Sequence, residues 1–197
     1  QKRKGRRWRA RKDRQATDEL IALVAKADST LYIENPYFIP TRRWRRAIKN
    51  CLDRGVKIRL ITNSSYTSDL PVVQAVYRNR RARALRAGVE IWEYRGTKML
   101  HTKAMVIDGQ ISAIGSYNLE LLSHKFNAEV MVWVNDPLLA AEHSAHLENV
   151  LKRSVRVGVK PNGTGKKPRA PSKLQRKRHR KVQLMRFTFA PLLGIIL

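Results

Sequence analysis

Two glycines constrain the fold of this chain more than any other feature. Gly55 and Gly88 each close a helix-like run, and each stands directly before a short apolar, β-branched run, residues 56–62 and 89–94. Glycine tolerates the left-handed backbone that stops a helix, so both positions mark helix-to-strand joints. A third such run, residues 31–34, comes earlier and leads into Asn35-Pro36-Tyr37-Phe38-Ile39-Pro40, whose prolines interrupt sheet and helix alike. Thr41 is the expected N-cap of the first intervening helix. Ser68 or Asp69 is the expected cap of the second, which carries Val72, Val73, Val76, Tyr77 and Leu85. Strand, helix, strand is a right-handed crossover that makes its strands parallel neighbours. The prediction is an α/β fold, a mixed and mostly parallel sheet with helices on both faces.

A helix starting at Thr17, with Leu20, Ile21, Leu23 and Val24 at three-and-four spacing, is expected to pack on that sheet. Residues 101–107 and 111–115 read as two strands joined through Asp108-Gly109, a hairpin turn signal. A helical turn at 119–122, a strand at 128–134 and a helix opening at Asp136-Pro137 follow, and the domain is expected to end near Val155. Open α/β sheets bind ligands beyond the carboxyl ends of their strands. The loops after residues 34 and 62 therefore become site candidates, with Asn35, Tyr37, Asn63 and Ser64 as substrate contacts.

Strand side chains alternate, so His101 and Lys103 share a face, and Ser116 and Asn118 repeat the spacing after the next apolar run. A nucleophile, a cation and two hydrogen-bonding groups are what phosphate chemistry needs. Asp108 falls on the opposite parity and in a turn context, which points to structure. Glu129, flanked by Val130 and Val132, is an acid too costly to bury unpaired. His143 and His146 lie one helical turn apart without a third ligand at a metal-binding spacing, and read with His124 as weak signals, the pair on a solvated helix face. Cys51, the single cysteine, reads as a small core residue.

The formal charge of +26 is concentrated at the ends. Residues 1–14 hold nine Lys/Arg and one acid, and residues 152–197 hold fourteen and none. Such ends associate with polyanions, and both an anionic membrane surface and nucleic acid qualify. The expected organisation is a basic arm or linker over 1–14, a catalytic domain over 15–155, a disordered basic segment over 156–183 and an apolar tail over 184–197. That tail is shorter than the roughly 20 residues that span a bilayer, and an interfacial position is the alternative.

The string His-x-Lys-x4-Asp-x6-Gly-Ser-x-Asn, from His101 to Asn118, resembles the HKD signature of the phospholipase D superfamily. Residues 35–40, Thr62-Asn63-Ser64 with Ser68-Asp69, Tyr77-Arg78-Asn79-Arg80, 87–90 and Asn127-Ala128-Glu129 extend the likeness to the carboxyl-terminal half of bacterial cardiolipin synthases. The resemblance implies a phospholipase D-like half-domain that transfers a phosphatidyl group between phospholipids through a phosphohistidine. His101 would be nucleophile or acid, Lys103, Ser116 and Asn118 would hold phosphate, Asp108 would complete the motif, and Glu129 would hold the other ring nitrogen of His101. The chemistry calls for no cofactor or metal. Phospholipids, phosphatidylglycerol and phosphatidylethanolamine, would be the substrates, at a bacterial inner membrane. Only one HKD string occurs, so a second half is expected, from the rest of a longer chain, which the start at Gln1 favours, or from a second copy. The alternatives are a phosphodiester hydrolase, as a lipase or dimeric nuclease, and a non-catalytic basic module binding membrane or nucleic acid.

Overall fold

Gly55 and Gly88 both hold positive φ, 87° and 105°, and each stops its helix where the sequence requires. The computed structural model describes residues 15–158 and 170–188. In chain order the elements are α1 (Gln15–Ala25), β1 (Thr30–Glu34), α2 (Arg42–Asp53), β2 (Lys57–Asn63), α3 (Pro71–Arg86), β3 (Glu90–Tyr94), β4 (Ala104–Ile107), β5 (Ile111–Gly115), α4 (Leu121–Lys125), β6 (Met131–Asn135), α5 (Pro137–Leu151), β7 (Ser154–Arg156) and α6 (Lys173–Thr188).

The strands form one seven-stranded sheet in the order β6-β5-β4-β1-β2-β3-β7. The two crossovers make β1, β2 and β3 parallel. The other four pairings are antiparallel, so the mixed sheet is parallel only at its centre. The hairpin at Asp108-Gly109 and the return through α5 each add strands of opposite direction. Alternation then sorts the core into two layers. Leu31, Ile33, Ile58, Leu60, Ile91, Met105 and Ile107 join the core formed with α1, α2 and α3. Ile61 and Val106 pack with Ala140, Leu147 and Leu151 of α5 on the opposite face. Cys51 is buried in the first core, its thiol directed at the Val24 carbonyl.

Several local expectations are corrected. Thr17 lies inside α1 and bonds the Tyr117 hydroxyl at 2.8 Å, so it does not begin that helix. Thr41 occupies the N-cap of α2 without a side-chain bond, and α3 opens at Pro71, so neither Ser68 nor Asp69 caps it. The strand expected over 128–134 is β6, and it lies at the sheet edge with Val130 70% and Val132 57% exposed. His143 is half-buried and bonds Ser112 Oγ at 2.6 Å, while His146 sits 3.4 Å from the buried Glu34, so this helix face is not simply solvated.

The carboxyl-terminal correction is larger. The strand β7 ends at Arg156, beside the expected domain end, but residues 173–188, expected as disordered chain leading into an apolar tail, form α6. Cations spaced at the helical period leave one face free to pack. On that face Val182 is fully buried, His179 stacks on Tyr66 at 4.4 Å and bonds Ser65 Oγ at 2.7 Å, and Arg186 bonds Asn79 of α3 at 3.0 Å. The basic arm, the middle of the basic segment and residues 189–197 of the tail lie outside the described residues. Among the described residues no helix is long and apolar enough to cross a membrane.

Candidate active site

The β4–β5 hairpin brings the two halves of the motif together. His101 and Lys103 enter β4, Ser116 and Asn118 leave β5, and the Gly115 N–H donates to the Lys103 carbonyl at 3.1 Å. Glu129 stands at the entrance of the neighbouring β6, where the Ser116 N–H donates to the Val130 carbonyl at 2.9 Å. His101 is exposed and Lys103 is buried. The Lys103 ammonium lies 2.9 Å from His101 Nδ1 and 3.2 Å from Nε2, and donates to the His101 carbonyl at 2.7 Å. Burial pushes the Lys103 ammonium below its ordinary range, opposed by the carboxylates of Glu129, Asp69 and Glu120. One buried cation thus lies beside the exposed imidazole, in contact with the ring and the carbonyl of His101.

Glu129 does not take the place expected for it. Its oxygens accept from the Ser116 and Ser123 hydroxyls, the latter at 2.5 Å, and from Asn127 Nδ2 at 3.2 Å. Among the described residues it holds the Ser116 hydroxyl, and no bond joins it to His101. Ser123 also receives the Asn118 N–H at 3.1 Å, so one carboxylate ties both Ser116 and Asn118 into place. Asn118 Oδ1 is buried without a partner, leaving hydrogen-bonding capacity at the site.

Asp108 lies just past the far end of β4, about 17 Å from Lys103 by strand rise. Its φ is 54°, and its carboxylate accepts from the N–H groups of Asp28, Ser29 and Thr30 and from the Ser29 hydroxyl, all at 2.8 Å. Burial alone would raise its pKa. The backbone N–H groups outweigh that and hold the carboxyl below its usual range. Asp108 clamps the α1–β1 turn.

The expected substrate contacts Asn35, Tyr37, Asn63 and Ser64 are all buried and bonded within the chain. Asn35 is buried, donates to the Tyr117 carbonyl at 3.0 Å and accepts from the Leu119 N–H at 3.1 Å. Asn63, also buried, bonds both the carbonyl and the N–H of Leu100, at 2.8 and 3.0 Å, directly before His101. Each asparagine closes one parallel strand and grips the backbone beside one half of the motif. Tyr37 donates to Asp69 at 2.6 Å, and burial together with that carboxylate pushes its hydroxyl well above the ordinary range. Ser64 is buried in a turn with Thr67.

Residues that the sequence did not single out complete the arrangement. Tyr117, between Ser116 and Asn118, points to the opposite side and is buried, its hydroxyl bonded to Thr17 and to the Trp44 indole N–H at 3.0 Å. Strand parity alone could have identified it. Glu120 is buried, and burial followed by Glu129 raises its pKa, against Lys103 and Asn118. Its role depends on the turn after β5 and carries no periodic signal. Among the described residues no group of three or more His, Cys, Asp or Glu is placed to hold a metal ion.

Comparison with known proteins agrees with this geometry. Residues 20–151 match the family model described as cardiolipin synthase, PLD-like domain. The chain is 28% identical over 138 residues to probable cardiolipin synthase YwiE of Bacillus subtilis, which covers 70% of this chain and 27% of that one. It is 32% identical over 138 residues to cardiolipin synthase A of Proteus mirabilis, covering 70% and 28%. The chain therefore spans about a quarter of the length of these relatives. Its fold is similar to that of Nuc from Salmonella typhimurium, a phospholipase D family member, with a TM-score of 0.60 at 17% identity over 72% of this chain and 90% of that one. By the match over residues 20–151, this chain belongs to the cardiolipin synthase family of phospholipase D-like domains.

Proposed function

We propose that this chain supplies one half of a phosphatidyltransferase site of the cardiolipin synthase type. The observation that carries the reading is the contact at 2.9 Å between exposed His101 and buried Lys103, at the edge where Ser116, Asn118 and Glu129 converge. In this reading a His101 ring nitrogen attacks the phosphorus of a phospholipid and the bond from phosphorus to the departing alcohol oxygen breaks. The histidine of a second HKD half gives that oxygen its proton. The hydroxyl of another phospholipid then attacks phosphorus, the phosphorus–nitrogen bond breaks, and the hydroxyl proton passes to the second histidine. Lys103, Ser116 and Asn118 hold the non-bridging oxygens. A phosphate that draws the ammonium to itself also frees the ring nitrogen that Lys103 contacts.

The second half docks, in this reading, along β6, from the same polypeptide or from a second copy. That strand is a sheet edge, and Val130, Val132, Trp133 and the nearby Phe126 are exposed beside Ser116 and Glu129. An unpaired apolar edge next to an incomplete site is a surface awaiting cover. Phosphatidylglycerol and phosphatidylethanolamine are the proposed substrates, taken from an anionic membrane surface to which the chain is peripheral. The test supplies phosphatidylglycerol vesicles, phosphatidylethanolamine vesicles and plasmid DNA separately to the chain joined to a complementing half. Phosphatidyl transfer that disappears with His101→Ala is expected. Cleaved plasmid with intact lipid, or full transfer by this chain alone, without a complementing half and monomeric by sedimentation, overturns the reading.

A further inference from the structure

A cleft of about 640 Å³ opens between α2 and α3, and none of His101, Lys103, Ser116 or Asn118 lines it. Its floor includes Phe38, Ile48 and Val89, all buried members of the core. Its walls are cationic. Lys49 is neutralised by Asp53 at 2.6 Å and Arg81 by Glu93, but Arg45, Arg80, Arg83 and Arg86 have no carboxylate partner among the described residues. Arg45 is steered by the Pro40 carbonyl at 2.7 Å. Burial, then Arg83, Arg80 and Arg42, push its guanidinium below the ordinary range, and burial does the same to Arg80.

Like charges gathered over a partly desolvated cleft raise the free energy of the empty protein, and an anion seated among them relieves it. Guanidinium groups favour phosphate because their planar fork donates two parallel hydrogen bonds. A nucleic-acid backbone would satisfy the arginines but leave an apolar floor unused. A phosphate joined to an acyl chain uses both. We infer that the α2–α3 cleft is a binding site for a single anionic phospholipid, its phosphate held by Arg45, Arg80 and Arg83 and its acyl chain laid toward Phe38, Ile48 and Val89. The site does not depend on the reading given to His101, and it would seat a lipid molecule against the helical face of the domain.

The test is isothermal titration of the full chain with monomeric dihexanoyl phosphatidylglycerol, its deacylated headgroup glycerophosphoglycerol, and an oligothymidylate. Arg80→Gln/Arg83→Gln is the diagnostic variant, because neither side chain makes a hydrogen bond or ion pair among the described residues. Its melting temperature should not fall, since like-charge repulsion is removed. Expected are saturable lipid binding, at least a tenfold loss in the arginine variant, no comparable loss in Lys103→Ala, and much weaker binding of the headgroup alone. Lipid affinity unchanged in the arginine variant, or lost equally in Lys103→Ala, overturns the site. Headgroup binding as tight as the lipid, or tighter arginine-dependent binding of the oligonucleotide, overturns the assignment to a phospholipid.

Discussion

Replacing Asp108 separates a chemical role from a structural one at the motif's aspartate. Oδ1 accepts from the Ser29 N–H, the Ser29 hydroxyl and the Thr30 N–H, and Oδ2 from the Asp28 N–H, each at 2.8 Å. Bonds to a charged acceptor contribute about 1.5–3 kcal/mol each in buried settings. Here water can reach most of the donors, so the whole set in Asp108→Ala should amount to about 2–3 kcal/mol, near the upper range for loss of a helix cap. In a chain of this size that lowers the melting temperature by about 5–10 °C. Asp108→Asn keeps the oxygen that takes three bonds but turns an amide N–H toward the Asp28 N–H, and should lose about half as much. The pH dependence follows from the lowered pKa. A depressed carboxyl stabilises the fold above its unfolded value, about 3.9, and that contribution is lost as pH falls through the folded value. The gap between wild type and Asp108→Ala should therefore be constant from pH 7 to about 5 and narrow below about 4. Calorimetric melting over that range measures it, with turnover of the assembled site recorded per folded molecule. An Asp108→Ala protein that melts like wild type yet has lost turnover would refute the clamp and return Asp108 to the chemistry.

Asn63→Ala removes both bonds to Leu100 and the bond to Pro36, so melting should show a loss of about 2–3 kcal/mol, and turnover should fall further than KM rises because the backbone before His101 is loosened. Tyr117→Phe strands the Trp44 indole N–H and a bond of the Thr17 hydroxyl in the core, which should cost about 1–3 kcal/mol by denaturant titration with little change in the affinity for phosphate. Val182→Asp places an unpaired charge where α6 meets α3, and hydrogen exchange should show residues 173–188 losing protection while β1, β2 and β4 keep theirs.

Much of the architecture was legible because it rests on local rules. Gly55 and Gly88 stop their helices, the runs after them become β2 and β3, and the Asp108-Gly109 turn joins β4 to β5. His101, Lys103, Ser116 and Asn118 were legible as a group because period-two alternation and one hairpin are enough to bring them together. Glu129 was legible as a member of the site but not in its bonds, since the competition between the Ser116, Ser123 and Asn127 donors and His101 is settled only by the turn after β5. The helix α6 was missed because its composition is that of a solvated coil, and its packing rests on a few contacts at Val182, His179 and Arg186.

By itself, then, the sequence determined the helix-to-strand joints, the placing of helices on both faces of the sheet and the side-chain chemistry present at His101 and Lys103. Each of these follows from backbone preference or side-chain period over a few neighbouring residues. Only the tertiary structure decided that Asn35 and Asn63 brace the motif from two parallel strands, that Asp108 serves a turn on the far side, and that four arginines of α2 and α3 face one cleft. Those outcomes depend on which distant groups come within hydrogen-bonding or Coulombic reach. A one-dimensional pattern does not carry that information, because a buried polar atom takes whichever partner the packed chain leaves beside it.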